Sequence, residues 1–284
     1  MNYNNNNNNL FYSESLKNIF FIFGNEYRLK IIDALFNKKR LTMTKLAVEL
    51  GAELSTIQNY VEYLLQNEII EKDQKGNYKL TSLTELLVMQ IPSFTFLINN
   101  QEYFKEHDFG DLPIHFINRI SDLCNSSIIR GYPLIHEKIC DMYENCTEYI
   151  FNIIHEVDYS KDILDVLESK LKKHDKFVTK TIFSQYPVIP KKYEKIIKNY
   201  NFSIFKLNNQ IQQKSIEKVK VSLILTDKES ILMFPRLEKF TADTTAILYS
   251  NDKNFHKWSL DYFIETWNIA RNFDLNIYVK SLDV

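Results

Sequence analysis

The stretch LTMTKLAVELGAELSTIQNYVEYLLQNEIIEKDQKGNYKLT, residues 41–81, decides the fold of the N-terminal part of the chain. It contains two short segments with apolar residues at helical spacing, separated by Gly51, and then two short runs separated by Gly76-Asn77. Thr42 and Ser55 stand where the two helices would begin, and hydroxyl oxygens suit the free amides of a first helical turn. Two short helices joined by a sharp turn and followed by a hairpin predict a winged helix-turn-helix.

The sequence on both sides of this stretch extends the predicted domain to residues 13–92. Three more helices are predicted from apolar residues at helical spacing, over Ser13–Phe23, Glu26–Phe36 and Leu83–Gln90. Asn25 is the predicted cap of the second of these, and Pro92 is expected to end the third. The run of Asn residues near the start predicts a disordered tail over residues 1–12.

Beyond Pro92 the pattern changes to helices alternating with strands, which predicts an α/β domain over residues 100–272. Its predicted helices cover residues 113–123, 134–143, 158–171, 190–200 and 252–271. Its predicted strands cover residues 148–154, 177–183, 219–225, 230–234 and 245–249. Asp158 is the predicted cap of the third helix, and residues 273–284 are predicted to form a tail. The predicted fold class is α+β or α/β, with an N-terminal winged helix-turn-helix followed by an α/β domain.

The bulk composition excludes several classes of protein. A length of 284 residues suits two domains, and 45% hydrophobic with 25% charged residues is ordinary for a globular protein. No apolar run approaches the roughly 20 residues that a membrane helix needs, and no secretory signal is visible. A cytoplasmic protein without membrane attachment is therefore predicted. Three cysteines, Cys124, Cys140 and Cys146, match no zinc-binding spacing, so no metal site is predicted.

The helix after Gly51 carries the predicted binding chemistry. Its apolar residues expected to face inward are Leu54, Ile57, Val61, Leu64 and Leu65. Gln58 and Asn59 remain outside, and both side chains can make paired hydrogen bonds to the edge of adenine in the major groove. Hydroxyl groups and lysines around them suit contacts with phosphates. The predicted contacts with double-stranded DNA are Thr44, Ser55, Thr56, Gln58, Asn59, Tyr63, Lys72, Lys75 and Lys79.

The charge of this helix leaves a second function open. It carries no Lys or Arg, Glu62 would repel phosphate, and the whole chain has a net charge of -1. These features predict a modest affinity for DNA and a shallow salt dependence unless a dimer supplies more contacts. A winged helix that docks on another protein, without binding DNA, is therefore kept as an alternative.

Three segments of the second domain carry a family resemblance. They are EHDFGDLPIHFINRISDLCNSS at Glu106–Ser127, VSLILTDKESILMFP at Val221–Pro235 and NDKNFHKWSLDYFIETW at Asn251–Trp267. With the winged helix before them, they resemble archaeal winged-helix transcriptional regulators whose second domain is named after a regulator of methanogenesis in filamentous methanogens. The resemblance implies a regulator of transcription with the second domain as its sensor. Where that group usually has Arg on the recognition helix, this chain has Asn59.

Catalytic motifs are sparse in the second domain. His136-Glu137-Lys138 has the spacing of a phospholipase D-type nucleophile motif, but that chemistry needs a second copy and an Asp at position 143, where Tyr143 stands. The sequence contains no Gly-rich phosphate loop and no Gly-x-Ser-x-Gly elbow. No catalytic residue and no cofactor is therefore predicted, and the chain is predicted not to be an enzyme. An enzyme with an unrecognised site in the second domain is the remaining alternative.

The combined prediction is a transcriptional regulator that binds DNA and responds to a small effector or a partner. The helix over residues 13–23 is expected to form part of a homodimer contact. Lysines dominate the region 170–198, which could hold an anionic effector. The lysines in question are Lys170, Lys172, Lys173, Lys176, Lys191 and Lys192.

Overall fold

The computed structural model describes residues 13–156, 160–188, 200, 202–237 and 241–273. Contacts divide the chain into two compact units, Met1–Ile91 and Pro92–Val284, which are described separately below. Three predictions fall outside the described residues: Asp158 as a cap, the N-terminal tail, and nearly all of the helix over residues 190–200. The predicted C-terminal tail is described only at residue 273.

Four helices in a row begin the first unit. They are α1 (Glu14–Phe23), α2 (Glu26–Lys38), α3 (Met43–Leu50) and α4 (Leu54–Gln66). Side-chain oxygens of Ser13, Asn25 and Thr42 accept hydrogen bonds from first-turn amides of α1, α2 and α3, which confirms the two predicted caps Asn25 and Thr42. Gly51 has a φ of 58°, a left-handed conformation that glycine adopts without steric strain, so the chain turns sharply between α3 and α4.

Helix α4 begins one residue before the predicted cap. Glu53 precedes it in an extended conformation, and no side chain caps the helix. The prediction that Ser55 is the cap is wrong, because Ser55 already lies inside the first turn. Leu54 was expected to face inward, but it lies at the exposed start of the helix and is 49% exposed. The other predicted inward residues are placed as expected, with Ile57, Val61 and Leu64 buried and Leu65 half-buried.

A hairpin and a fifth helix complete the first unit. They are β1 (Ile70–Lys72), β2 (Tyr78–Leu80) and α5 (Ser82–Val88). The two strands pair antiparallel, and Asp73 closes their turn by accepting hydrogen bonds of 2.9 Å from the amides of Lys75 and Asn77. Thr81 caps α5. The predicted winged helix-turn-helix is therefore present, with a core formed by Ile31, Ile32, Leu35, Leu46, Ile57, Val61, Leu64, Tyr78 and Leu80.

An eight-stranded mixed sheet forms the centre of the second unit. Its strands are β3 (Ser127–Arg130), β4 (Tyr149–Glu156), β5 (Val178–Val188), β6 (Ile211–Ile216), β7 (Ser222–Thr226), β8 (Ser230–Met233), β9 (Ala246–Ser250) and β10 (Arg271–Asn272). Their order across the sheet is β10-β6-β5-β4-β7-β8-β9-β3. The pairs β4–β5 and β5–β6 are parallel, and the other neighbours are antiparallel. The predicted α+β or α/β fold class is confirmed.

Helices cover both faces of this sheet. They are α6 (Ile91–Asn99), α7 (Gln101–Phe104), α8 (Ile114–Ile117), α9 (Tyr132–Asn145), α10 (Lys161–Lys173), α11 (Ser203–Leu207) and α12 (Lys253–Ile269). Along β7, Leu223 and Leu225 join a cluster around Trp258 of α12, whereas Ile224 joins a cluster around Ile139 of α9. Because successive strand residues point to opposite faces, the sheet separates two cores.

Several elements of the second unit differ from prediction. Pro92 does not end a helix but lies in the first turn of α6, where its missing amide costs no helical hydrogen bond. The predicted helix over 113–123 is two short pieces, α8 and a 3-10 turn over Ile120–Leu123. Strands β3, β6 and β10 were not predicted, and the last helix ends at Ile269, so Arg271, predicted as its end, lies in β10. Among the described residues, no helix combines the length and apolar character needed to cross a membrane.

Candidate nucleic-acid interface

Helix α4 presents a polar face opposite its buried stripe. The stripe of Ile57, Val61 and Leu64 is fully buried in the core of the first unit, where α4 contacts α2 and α3. This spacing of three to four residues leaves the other side of the helix to solvent. The exposed polar residues on α4 that precede its last turn are Ser55, Gln58, Asn59 and Glu62.

A hydrogen bond within this face orients one of the predicted base-reading side chains. The amide nitrogen Nε2 of Gln58 donates to the carboxylate of Glu62, one helical turn later, at 2.9 Å. An ionised carboxylate only accepts hydrogen bonds, so it fixes which end of the Gln58 amide faces it. The carbonyl oxygen and the second hydrogen of Nε2 remain available for another partner. Glu62 therefore positions Gln58, a role that the sequence analysis did not assign to it.

Two other predicted contacts are partly committed to packing. Thr56 and Tyr63 are half-buried. The ring of Tyr63 lies against the guanidinium group of Arg28, with 4.8 Å between the guanidinium carbon and the ring centroid. Arg28 is buried and also donates to the carbonyl oxygen of Phe21 at 2.8 Å. Tyr63 thus helps to hold α4 against α2 and the end of α1.

Helix α3 adds two exposed side chains to the candidate interface. Thr44 and Lys45 lie in its first turn and are exposed. Thr44 was predicted as a contact, whereas Lys45 was missed. Lys45 is the only Lys or Arg within MTKLAVEL, the segment that forms α3, and this was the available signal in the sequence.

The three predicted lysines of the wing differ in their exposure and in whether they pair with a carboxylate. Lys75 is exposed in the turn. Lys72 is exposed and its ammonium group lies 5.4 Å from the ring centroid of Tyr78. Lys79 is half-buried and pairs with Glu71, which stands opposite it in the hairpin register. The structure therefore leaves Lys72 and Lys75 free of carboxylate partners and places Lys79 in an ion pair.

Most cations of the first unit are paired with carboxylates. The paired side chains are Lys17, Lys30, Lys38, Lys39, Arg40 and Lys79. Among the exposed cations of residues 13–91, only Lys45, Lys72 and Lys75 have no carboxylate within ion-pair distance. These three lysines, together with the polar face of α4, form the candidate interface.

The wing turn depends on the charge of Asp73. Hydrogen bonds from the backbone and side chain of Asn77 are the main cause that lowers the pKa of Asp73, and Lys75 and Arg40 contribute further. This group contributes stability above its usual pKa near 4 and loses it as the pH falls through the lowered value. The turn that carries Lys75 is therefore held in place at neutral pH.

The His-x-Lys motif of the second unit lies on α9 and serves packing. The ammonium group of Lys138 pairs with Glu229 at 2.8 Å and lies 4.0 Å from the ring centroid of Tyr249. The hydroxyl of Tyr143, at the position where the motif would need an Asp, accepts a hydrogen bond from Asn152 at 3.0 Å. His136 approaches Cys140, with 3.7 Å between its Nε2 and the sulfur. Lys138 is thus held by Glu229 and Tyr249, as expected for a structural lysine.

A buried histidine in the second unit pairs with a distant aspartate. The side chain of His107 is fully buried, with Nε2 2.9 Å from Asp243 and Nδ1 2.7 Å from the carbonyl oxygen of Tyr103. Asp243 also accepts hydrogen bonds from the amide and hydroxyl of Thr245 at 2.8 and 2.7 Å. Sequence reasoning missed this pair because the two partners are far apart in the chain. It fastens the segment after α7 to the segment before β9.

The lysine-rich region does not converge on one described site. Lys170 donates to the carbonyl oxygens of Glu144 and Cys146 at 2.8 and 2.6 Å, and Lys172 pairs with Glu168 at 3.0 Å. Lys173 and Lys176 are exposed, and the remaining two lysines of the predicted pool, Lys191 and Lys192, lie outside the described residues. An open groove beside Lys170 and Lys173 has a volume of about 430 Å³, but carboxylates of Glu144 and Asp165 line it as well. In the described part of the chain, no cluster of three or more metal-ligating side chains forms.

Comparisons with known proteins give distant structural likenesses. No protein-family model matches the chain, and no curated protein matches it. TrmBL2, an archaeal chromatin protein with a novel mode of DNA binding, is similar at a TM-score of 0.39 and 15% identity, over 91% of this chain and 97% of that chain. NucT from Helicobacter pylori is similar at a TM-score of 0.39 and 10% identity, over 52% of this chain and 98% of that chain. These scores are below 0.5, and neither likeness assigns a function to this chain.

Methyltransferases are also among the similar structures, and they correct one prediction. RosA, a dimethyltransferase from Streptomyces davawensis, is similar at a TM-score of 0.24 and 13% identity, over 75% of this chain and 67% of that chain. Several O-methyltransferases are similar at comparable or lower scores. The prediction that the chain is not an enzyme is contradicted by these matches and is withdrawn. The scores are too low to bring a reaction or a cofactor to this chain.

Proposed function

We propose that the first unit binds double-stranded DNA, with α4 in the major groove, and that the protein regulates transcription. The observation that carries this proposal is the exposed polar face of α4. It lies opposite the buried apolar stripe by which α4 packs against α2 and α3. In winged helix-turn-helix proteins the second helix of the motif, which here is α4, enters the major groove. The side chains that it exposes contact base edges. The family resemblance of the second domain supports the same function and remains part of the proposal.

Gln58 and Asn59 are the proposed base-reading residues. An exposed amide side chain can accept from the exocyclic amino group of adenine and donate to its N7 at the same time. The hydrogen bond to Glu62 leaves the carbonyl oxygen and one hydrogen of Gln58 free, which is the pair of groups that this contact uses. Glu62 would then fix the orientation of Gln58 before DNA arrives, so that less rotamer freedom is lost on binding.

Lys45, Lys72 and Lys75 are the proposed phosphate contacts, joined by the hydroxyls of Thr44 and Ser55. Among residues 13–91, the ammonium groups of these three lysines have no carboxylate partner, so no ion pair has to break when they bind a phosphate. Three such lysines are few for a DNA-binding unit, so the affinity of one chain should be modest. A homodimer would double the number of contacts and set the spacing of two half-sites.

Two exposed aromatic side chains support a homodimer contact at α1. Phe20 is 58% exposed and Phe21 is 64% exposed, on a helix that packs into the core of the first unit through buried Ile22. Burying apolar side chains of this size against a partner stabilises the complex. We therefore propose that α1 contacts a second copy of the chain. We also propose that the second domain binds a small effector, which would change the spacing of the two winged helices.

Selection from random duplex DNA tests the proposal. The full-length protein should enrich a defined sequence, and anisotropy titrations would then compare wild type with Gln58→Ala and Asn59→Ala. Each variant should lose about 1–3 kcal/mol of discrimination between the selected site and a scrambled one, which is roughly 5- to 150-fold. Gln66→Ala is the matched control, since Gln66 is an exposed glutamine at the end of the same helix.

The outcome separates DNA reading from protein docking. Discrimination that falls in the two α4 variants and stays at the wild-type level in Gln66→Ala supports base reading. Failure to enrich any sequence, or equal discrimination in all three variants, would contradict the proposal and favour a winged helix that docks on a protein. Circular dichroism melts of each variant confirm that the fold is intact.

A further inference from the structure

A row of stacked aromatic rings runs across one face of the second unit's sheet. Tyr149 and Phe151 of β4 stack at 4.3 Å between ring centroids, and Phe151 stacks on Phe263 of α12 at 4.7 Å. Phe263 in turn stacks on Trp267, near the end of the same helix, at 5.7 Å. The row ends at Trp267, which is half-buried, whereas Phe263 is buried. The indole therefore stands at the border between the core and solvent.

Two lysines from neighbouring strands meet at this indole ring. Lys180 of β5 stands opposite Phe151 in the strand register, and Lys214 of β6 stands opposite Ile182, two residues further along β5. Both side chains therefore point to the same sheet face. The ammonium group of Lys180 lies 5.4 Å from the ring centroid of Trp267, and that of Lys214 lies 4.8 Å from it. Both lysines are half-buried.

These two cations have no carboxylate partner within the described residues. Elsewhere in the second unit, Lys138, Lys172 and Lys220 pair with Glu229, Glu168 and Asp111. The ammonium group of Lys180 lies over the rings of Phe151 and Trp267, each at 5.4 Å from the centroid. Lys214 contacts Trp267 through the ring and through a hydrogen bond of 2.8 Å to the carbonyl oxygen. Two like charges are thus held near one ring, and within the described residues neither has a carboxylate to neutralise it.

We propose that Lys180, Lys214 and Trp267 form a binding site for an oxyanion, the phosphate or carboxylate group of a small ligand. Partial burial weakens solvent screening, so an anion bound beside the ammonium groups offsets their positive charge and forms charge-assisted hydrogen bonds. The indole ring provides a flat apolar wall for the remainder of the ligand. The site lies wholly in the second unit and does not depend on the first unit binding DNA. Lys180 lies within the region 170–198 but is not one of the six lysines of the predicted pool, and Lys214 lies outside that region.

Tryptophan fluorescence of the full-length protein gives a direct test. The chain has two tryptophans, and Trp258 is fully buried. Iodide, a charged quencher, should therefore report mainly on Trp267, and the Trp267→Phe variant checks this assignment. At low ionic strength, iodide should quench the wild type several-fold more strongly than caesium, because the two lysines concentrate anions near the ring. Inorganic phosphate should then protect Trp267 with a saturable curve, beyond the effect of sodium chloride at equal ionic strength.

Charge-removing variants separate a built site from ordinary cation–aromatic packing. Lys180→Gln and Lys214→Gln should each weaken phosphate protection by about tenfold or more, and Lys214→Arg should retain it. The matched control is Lys253→Gln, which removes an exposed lysine at the opposite end of α12. Phosphate protection equal to that of chloride, or protection that survives in the Lys180→Gln/Lys214→Gln double variant, would overturn the proposal. In that case the two lysines serve only to pack against the rings.

Discussion

The salt dependence of DNA binding follows from the ion pairs of the first unit. Each lysine that neutralises a phosphate contributes about -0.9 to the slope of log affinity against log salt. Three exposed lysines, Lys45, Lys72 and Lys75, have no carboxylate partner among residues 13–91, and six other cations are paired. If only the unpaired lysines act, the slope is roughly -3 for one bound chain and roughly -5 for a dimer. If every exposed cation acted, one chain alone would give roughly -8.

Anisotropy with a short duplex of arbitrary sequence measures this slope between 50 and 200 mM sodium chloride. A slope of about -2.7, for three lysines, corresponds to about fortyfold weaker binding over that range, whereas roughly -8 corresponds to a loss of more than 10⁴-fold. Lys45→Gln should make the slope shallower by about one. Lys30→Gln is the control, because Lys30 is held by Glu26 at 2.6 Å, one turn before it on α2.

A steep slope would refute the reasoning from ion pairs. A value near -8 per bound chain would mean that paired cations exchange their carboxylates for phosphates. The free-energy cost of this exchange is small, because an exposed ion pair contributes about 1 kcal/mol or less. Equal effects of Lys45→Gln and Lys30→Gln would refute it as well. The stoichiometry of the complex, measured in the same titrations, decides which of the two expected slopes applies.

Two further predictions concern stability and assembly. Asp243→Ala should lower the free energy of unfolding, measured by urea titration at pH 7, by about 1–3 kcal/mol for each buried donor of His107 and Thr245 that it leaves without an acceptor. Asp243→Asn should cost only about 1 kcal/mol, and equal losses in the two variants would contradict this reasoning. Burial acts to raise the pKa of Asp243, but hydrogen bonds from Thr245 and His107 outweigh it and leave the pKa lowered, so the wild type should keep this contribution at neutral pH and lose it only as the pH falls below about 4. Phe20→Ser should weaken self-association by tenfold or more in sedimentation experiments, since each buried Phe contributes about 1.5–3 kcal/mol, whereas Leu207→Ser, which removes an exposed apolar side chain in the second unit, should not.

The winged helix could be predicted because its signals are local. Thr42 as a cap, Gly51 as a turn and the stripe of Ile57, Val61 and Leu64 each act within a few residues of their own position. The error at Ser55 has a local cause too. Glu53 adopts the extended conformation that precedes a helix, and the helix starts without a side-chain cap, so the best capping residue in the sequence was not the one used.

The second unit shows where sequence patterns stop being informative. Strand β6 has the sequence IQQKSI, with all six side chains half-buried, so it lacks the apolar alternation that marks a strand. Strand β3 is only four residues long and lies at the edge of the sheet. His107 and Asp243 are 136 positions apart in the chain, and no local sequence pattern predicts such a contact.

The sequence predicted the polar residues of the candidate interface and two of its three unpaired lysines, Lys72 and Lys75, but it missed Lys45 and did not show that Lys79 is paired. The exposure of Gln58 and Asn59 follows from helical periodicity alone. The freedom of each lysine does not, because it depends on which carboxylate stands beside it. Lys79 lies opposite Glu71 in the hairpin and is paired, whereas Lys45 on α3 has no such neighbour among the described residues.

The edge position of β3 has a consequence for the order in which the chain folds. Among the described strands it pairs with β9 alone, which follows more than one hundred residues later in the chain. At a synthesis rate of about 5–20 residues per second, that partner emerges from the ribosome roughly 6 to 25 s after β3. The winged helix, whose contacts are local, can be complete before then. We therefore expect the nascent chain to carry a finished first unit beside an unpaired strand edge, the stage at which intermolecular strand pairing competes with folding.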